Sequence, residues 1–357
     1  MGSSLVIVTY NGLLLVLVAG LMALLWGIDA RQRAAAFALS AAAFPIVSAF
    51  GALASPINLF GKIQLLSWAI FAHYPVLLLG GALTLFQRSR PVAVASLGLA
   101  VAVLAVAADA FLIEPHWLAV DHVTIATDKL DSRIRVAVIA DIQTDAPGRY
   151  ERRVLRRVRA EEPDLILLAG DYVHLADEDR YAGAVRTLNR ILQEEGLEAP
   201  LGMYAVRGNV DRRGRWQEVF ADLPVTTFER SRTVDLGPLA LTGLKLEDSA
   251  STRITIGSQD GFHIVLGHTP NFSLGEVDAD LLIAGHTHGG QVQLPFIGPV
   301  LTLSQVPRQW ASGITEIGPG QTLVVSRGIG MERANAPRMR FLCRPQLVIL
   351  DLVTGED

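Results

Sequence analysis

Side chains able to bind a divalent cation or a phosphate recur in this chain in one kind of place, directly after a short apolar run. "VAVIADIQ", residues 136–143, ends in Asp141 and Gln143, and "DLILLAGD", 164–171, ends in Asp171. "MYAVRGNVD", 203–211, carries Asn209 and Asp211; "FHIVLGH", 262–268, ends in His268; "DLLIAGHTHGG", 280–290, carries His286 and His288. Carboxylate, amide and imidazole groups together are the ligand chemistry of divalent cations. A single histidine after a strand is usually a turn residue, but five such ends form a set. Gly289 and Gly290 follow the histidine pair, and glycine lets backbone pass close to an ion or phosphate.

Continuous Val, Ile and Leu runs of this length predict strands buried on both faces. Between the first two runs, Tyr150, Val154, Leu155 and Val158 fall on one helical face; between the second and third, Tyr181, Val185, Leu188 and Leu192 do the same. Alternating strand and helix implies an α/β domain with right-handed crossovers. Ligand sites in such domains gather at the carboxyl ends of the strands, where these residues lie. His116, His122, His174 and His263 lack that context and read as structural or exposed.

The ordered blocks "DIQ", "GD", "GNVD", "GHTP" and "GHTHGG" resemble the five-block signature of calcineurin-like metallophosphoesterases, over roughly residues 120–353. "GHTHGGQVQLPFIGP" and "APRMRFLCRPQ" are similar to a bacterial membrane-associated branch that includes UDP-2,3-diacylglucosamine pyrophosphatase-type enzymes. The resemblance implies a four-layer αββα sandwich with two metal ions at one sheet edge. It gives one metal Asp141, Gln143, Asp171 and His288, and the other Asp171, Asn209, His268 and His286, with Asp171 bridging. Two metals ~3.5–4 Å apart polarise a phosphoryl group and generate an attacking bridging hydroxide at neutral pH.

Two positions depart from that pattern. Gln143 replaces a histidine; the formal charge is kept, but an amide oxygen is harder than imidazole, which favours Mn²⁺, Mg²⁺ or Fe²⁺ over Zn²⁺. Manganese-dependent diphosphatases of the superfamily are similar in having glutamine there. Val210 replaces the histidine that assists the leaving group in the family. General acid help is worth ~10² to 10⁴ in rate, so its loss favours phosphoanhydride cleavage, where the leaving phosphate is already a weak base. Asp211 is expected to act with Asn209 in the catalytic set, by orienting it or a neighbouring group. Arg207 and Arg327 are the candidate substrate contacts, arginine being suited to bidentate phosphate binding; Arg327 is equally readable as a surface charge beside a turn. The other arginines near the motifs, Arg340 among them, are expected to be solvated.

The remainder of the chain has a different composition. Mean hydropathy is +0.36, and residues 1–120 contain only Asp29, Arg31, Arg33, Lys62, Arg88, Arg90, Asp109 and Glu114 as charged side chains. Uncharged stretches at Leu5–Ile28, Ala34–Gly61, Ile63–Gln87 and Pro91–Ala108 are each near the ~18–20 residues that span a bilayer. The expected organisation is a membrane domain, 1–115, with four transmembrane helices, then the phosphoesterase domain, 116–357. Arg31, Arg33, Arg88 and Arg90 in the first and third loops, against Lys62 in the second, place the catalytic domain on the outer, periplasmic side of a bacterial inner membrane. The last 237 residues hold 26 of 31 basic and 32 of 35 acidic side chains, a balance of −6 that disfavours nucleic acid. The lone Cys343 gives no disulfide. His73 and Asp109 lie within apolar stretches and read as packed groups.

Together these features predict a membrane hydrolase of a lipid-linked phosphate or diphosphate. The rival reading is a degenerate domain that binds or senses without hydrolysis; Gln143 and Val210 motivate it, and seven ligand-type positions argue against it.

Overall fold

A computed structural model describes residues 2–355. The chain divides into two compact units, one built on residues up to Leu112 together with Asn335–Pro337, the other on Ile113–Ala334 and the chain from Arg338 onward.

The first unit is helical: α1 Gly2–Gly27, α2 Ala30–Ala54, α3 Leu59–Trp68, α4 Tyr74–Leu85 and α5 Arg90–Ala108. A π-helical turn, Ala69–His73, joins α3 to α4, so that among the described residues four spans are long and apolar enough to cross a membrane. Their outward faces carry large apolar groups such as Val16, Phe50 and Leu83, each more than 70% exposed, the reverse of a helix bundle in water. Polar groups inside are paired: His73 Nε2 lies 2.8 Å from Asn11 Oδ1, and Tyr10 donates to Ser48 O at 2.8 Å. The second span ends earlier than its uncharged stretch. Pro56 drives Ser55 into an extended conformation (ψ 144°), and Asn58 then caps α3 by accepting the Gly61 N–H at 2.8 Å. Lys62 therefore sits inside α3, and not in a loop as the stretch boundaries suggested.

The second unit holds the strands. In chain order they are β1 Ala119–Thr127, β2 Ile134–Ile139, β3 Leu165–Leu168, β4 Met203–Val206, β5 Val225–Phe228, β6 Arg232–Asp235, β7 Leu239–Gly243 and β8 Thr255–Ile256. There follow β9 Phe262–Leu266, β10 Glu276–Val277, β11 Leu281–Ala284, β12 Gln293–Leu294, β13 Gly298–Pro299, β14 Gly313–Gly318, β15 Gln321–Val325 and β16 Gln346–Thr354. Two six-stranded mixed sheets result, ordered β1-β16-β2-β3-β4-β5 and β14-β15-β11-β9-β7-β6.

The helices α6 Arg149–Ala160 and α7 Glu178–Glu195 cover the outer face of the first sheet. Val154, Leu155 and Val158 of α6 point inward while its arginines face out, and Gly196 (φ 56°) ends α7 in the left-handed conformation glycine tolerates best. Between the sheets, Val136, Val138, Leu165, Leu167 and Val206 meet Leu239, Leu241, Ile264, Leu266 and Ile283. The short α8, Leu246–Ser249, and the 3₁₀ turn Pro270–Leu274 make a thinner outer layer over the second sheet. The parallel strands β2, β3, β4, β9 and β11 run so that their carboxyl ends carry the candidate ligands.

Phe228 closes this inner core at β5. It is fully buried, its ring stacks at 5.9 Å on Tyr204, and a Cβ on Gly243 of the opposite sheet would come within 2.1 Å of it. Truncation leaves a cavity between two sheets that cannot both collapse. Phe228→Ala is expected to cost about 3–5 kcal/mol, read from the guanidinium midpoint of the detergent-solubilised chain by tryptophan fluorescence. An unchanged midpoint would mean that the sheets do not depend on this contact.

Candidate metal centre

Each candidate ligand sits on the first few residues after a strand, and five of the seven have left-handed backbone: Asp141 (φ 48°), Gln143 (35°), Asp171 (58°), His286 (72°) and His288 (49°). Non-glycine residues adopt this region at a cost on the order of 1–3 kcal/mol, and keep it only where their surroundings impose it. The surroundings here are hydrogen bonds between strand ends. Asp141 N donates to Gly170 O at 3.0 Å, Gln143 N to Asp171 O at 2.7 Å, and Gly285 N to His268 O at 2.9 Å. Asp211 binds this layer from behind, accepting the N–H groups of Asp171, Tyr172 and Gly208, each at 2.8 Å. Gly208 is glycine for space, since a Cβ would lie 2.0 Å from Asp171 Oδ1.

The ligand atoms of Asp141, Asp171 and His288 lie within 4.8 Å of one another, all three residues buried. Gln143 Oε1 and His288 Nδ1 are buried there too, without a hydrogen-bond partner among the described residues. Such atoms are costly to leave unpaired, and their presence in a native site needs an explanation. A cation supplies one.

A second group adjoins it. His268 Nδ1 donates to Ala169 O at 2.7 Å, which turns Nε2 toward Asn209 Oδ1 (2.9 Å) and Asp171 Oδ2 (3.4 Å). His286 Nε2 faces Leu303 O at 3.3 Å, which turns Nδ1 toward the same Asn209 oxygen at 2.7 Å. Both outer nitrogens face carbonyls, which only accept, so the neutral rings present lone pairs to an oxygen. A proton or a cation must lie between them. Asn209 is exposed and His286 half-buried, so this second group is the open side of the centre.

Charge follows burial. Burial pushes Asp141 up to about 7, with His268 opposing and Asp171 adding to the rise. Burial acts the same way on Asp171, but His268 and the Val210 N–H (2.9 Å) outweigh it and hold that carboxyl at about 2. His268 is raised to about 9, its own burial overcome by Asp171 and Asp141. Burial lowers His286 to about 4 and puts His288 well below its usual range, with Arg340 contributing, so His288 is neutral and able to ligate. Burial, then Asp171, raises Asp211 to about 6.

Other residues were less legible. His174, read from sequence as structural or exposed, places Nδ1 3.0 Å from Gln143 Nε2 and 3.3 Å from Glu332 Oε1. An amide nitrogen only donates, so His174 takes that end of the Gln143 amide and leaves its Oε1 buried without a hydrogen-bond partner among the described residues. Arg340 is not solvated: it is fully buried and donates to the carbonyls of Arg327, Gly330 and Cys343 at 2.5–2.9 Å. Arg333 donates to Gln143 O at 2.9 Å. Arg207 pairs with Glu247 at 2.9 Å, while the Arg327 guanidinium reaches Arg344 O and Asp121 Oδ2, both at 3.2 Å. Neither arginine lacks a partner. His263 is a core residue, held by Thr242 and Asp278 O. Only contact partners distant in the chain distinguish these cases, and no local pattern marks them.

A cluster of carboxylate, amide and imidazole groups at the carboxyl ends of strands from two packed sheets defines a metal-dependent phosphohydrolase. The model for the calcineurin-like phosphoesterase family matches residues 134–290. The chain is 30% identical over 219 residues to the uncharacterized metallophosphoesterase YkuE of Bacillus subtilis, covering 56% of this chain and 72% of that protein. It is 27% identical over 259 residues to an uncharacterized metallophosphoesterase of Aquifex aeolicus, covering 67% and 94%. To the phosphodiesterase YaeI of Escherichia coli it is 24% identical over 199 residues, covering 54% and 72%. This chain belongs to the calcineurin-like phosphoesterase family.

A cation held by Asp141 and His268 would have to displace their protons, because burial raises the Asp141 carboxyl to about 7 and the two carboxylates raise His268, against its burial, to about 9. Below those values the proton competes, so affinity for Mn²⁺ is expected to rise from pH 6 to pH 9 with net proton release. Calorimetry in buffers of different ionisation enthalpy measures this, and a flat profile without proton release would show that neither group is protonated before the cation binds.

Proposed function

We propose that this protein is a membrane-bound hydrolase of phosphoanhydride or phosphodiester bonds in lipid-linked substrates, using two divalent cations with Mn²⁺ favoured. The observation that carries the reading is the buried cluster of Asp141, Asp171 and His288, beside the unpartnered Gln143 Oε1 and His288 Nδ1, with His268 Nε2 facing Asp171 and both His268 and His286 facing Asn209 Oδ1. Asp141, Gln143, Asp171 and His288 would hold one cation; Asp171, Asn209, His268 and His286 the other. Cations bound there polarise a phosphoryl oxygen and lower the pKa of a water enough for attack near neutral pH.

The protein's own groups set the rest of the chemistry. Asp171 is placed to serve both cations, with Oδ2 3.4 Å from His268 Nε2 and an oxygen in the Asp141–His288 cluster. Asp211 holds the Asp171 and Gly208 backbone in place, and with it the turn that presents Asn209. Val210 donates its N–H to Asp171 and has no side-chain proton to give a leaving group. A leaving phosphate needs none, so a diphosphate suits the site better than an alkyl monoester. The similarity to the E. coli phosphodiesterase YaeI supports a diester as the other substrate form. Four apolar spans support a substrate whose tail stays in the bilayer. The four arginines near the first and third connections support an outward-facing catalytic unit in a bacterial inner membrane, which favours isoprenoid or glycolipid diphosphates over nucleotide-linked ones.

Detergent-purified protein with added Mn²⁺, Mg²⁺ or Zn²⁺ is expected to cleave a diphosphate in preference to a matched monoester, with Asp171→Asn as blank. Turnover no higher than the blank with any metal would favour the degenerate binding reading. Equal turnover of lipidated and water-soluble diphosphates would remove the lipid part. Val210→His is expected to raise monoester turnover by at least about tenfold relative to diphosphate, through restored proton donation; an unchanged ratio would exclude leaving-group protonation as the basis of the preference.

A further inference from the structure

Between Asp280 and Arg308 the sequence has no Asp, Glu, Lys or Arg. Within this segment β12 and β13 pair Gln293 with Pro299 and Leu294 with Gly298, and the resulting hairpin projects "PFI" at its tip. Ile297 N closes the turn on Leu294 O at 3.1 Å, and Pro295 and Pro299 flank it. Phe296 at the tip is fully exposed; Ile297, Val300 and Leu303 are 56%, 51% and 50% exposed, and Leu294 is 39%. A soluble surface seldom gathers that many large apolar groups in one short segment.

Phe296 also has φ 65°. A tight turn requiring that conformation selects glycine or asparagine, and an aromatic residue there is strained as well as exposed to water. Neither cost has a structural return within the fold. The return arm leads directly to the metal centre, because Leu303 O faces His286 Nε2 at 3.3 Å.

We infer that this hairpin is a bilayer-inserting element: Phe296 and Ile297 enter the lipid interface, with Leu294, Val300 and Leu303 at its rim. The occupant is the bilayer because the same chain carries four membrane-length apolar spans, and because an uncharged, aromatic-tipped loop partitions into the interface where a charged one would not. The inference rests on the membrane-bound reading above, and it brings the open side of the metal centre to headgroup depth, where the phosphate of a lipid substrate lies.

The test attaches a nitroxide label to Phe296→Cys, and separately to Ile297→Cys, in the full chain in phospholipid nanodiscs; the parent chain, with Cys343 buried, is the labelling blank. Val16→Cys on the outer face of α1 serves as the bilayer reference, and Asp260→Cys, in the exposed turn before β9, as the water reference. Collision with oxygen and with a water-soluble nickel chelate is then measured. Labels at 296 and 297 that resemble the Val16 site, open to oxygen and shielded from nickel, support insertion. Labels that resemble the Asp260 site overturn it while leaving the membrane reading intact. Labels shielded from both reagents show a protein interface and also overturn it. A nickel-accessible Val16 label shows instead that the membrane reading itself has failed.

Discussion

Asp141, Asp171 and Asp211 are all taken out of water at one sheet edge, and three adjacent carboxylates cannot stay buried without compensation. Much of the second unit can be understood as the means of supplying it. Asp211 receives three backbone N–H groups, Asp171 receives the Val210 N–H and the His268 ring, and Asp141 receives the His286 N–H at 3.0 Å. Those donors come from strand ends in both sheets, so the sheets must pack with their carboxyl edges aligned. The left-handed backbone at five ligand positions follows from the same demand, since the loops must turn at once after each strand. What backbone donors leave uncompensated is the negative charge facing the cluster, and that remainder would favour a cation there.

A second layer of hydrogen bonds lies behind the ligand positions. Arg340, buried without a carboxylate partner among the described residues, gathers the carbonyls of the loops after β15 and around Cys343, while Cys343 Sγ donates to His288 O at 3.2 Å. His174 Nδ1 lies 3.0 Å from the Gln143 amide nitrogen, a contact that would help a glutamine serve at a position where the family pattern has histidine. An imidazole has a rigid ring; an amide on a longer chain has more rotamers, so its oxygen needs an external partner to hold it in place.

The two units differ in the solvent they suit. The helical unit exposes leucine, valine and phenylalanine and hides its few hydrogen-bonding groups, whereas the catalytic unit is net acidic with its apolar residues inside. The hairpin at 293–299 breaks this division by exposing Phe296 and Ile297 on the second unit, and Leu303, just beyond it, faces His286 Nε2 through its carbonyl at 3.3 Å. Hydrolysis of a substrate with a tail in the bilayer needs a charged site and an apolar surface within one headgroup's reach.

Much of this was written locally. Continuous apolar runs marked the strands because a strand buried on both faces has no polar side, and the ligand-type residues marked their carboxyl ends. The helical faces of α6 and α7 and the four apolar stretches were legible for the same reason: burial and bilayer length leave a periodic or compositional trace. The break at Ser55-Pro56 was present in the sequence as a proline but weaker than the hydropathy around it, which is how Lys62 was misplaced. Tertiary structure alone decided the ring orientations of His268 and His286, the role of His174 and the burial of Arg340. Their partners lie far away in sequence, as with His268 and Ala169, 99 residues apart. A histidine or an arginine looks the same in a sequence whether it meets water, a carbonyl or an amide, because the free energy of a polar group depends on the partner it finds, and only the fold assigns partners.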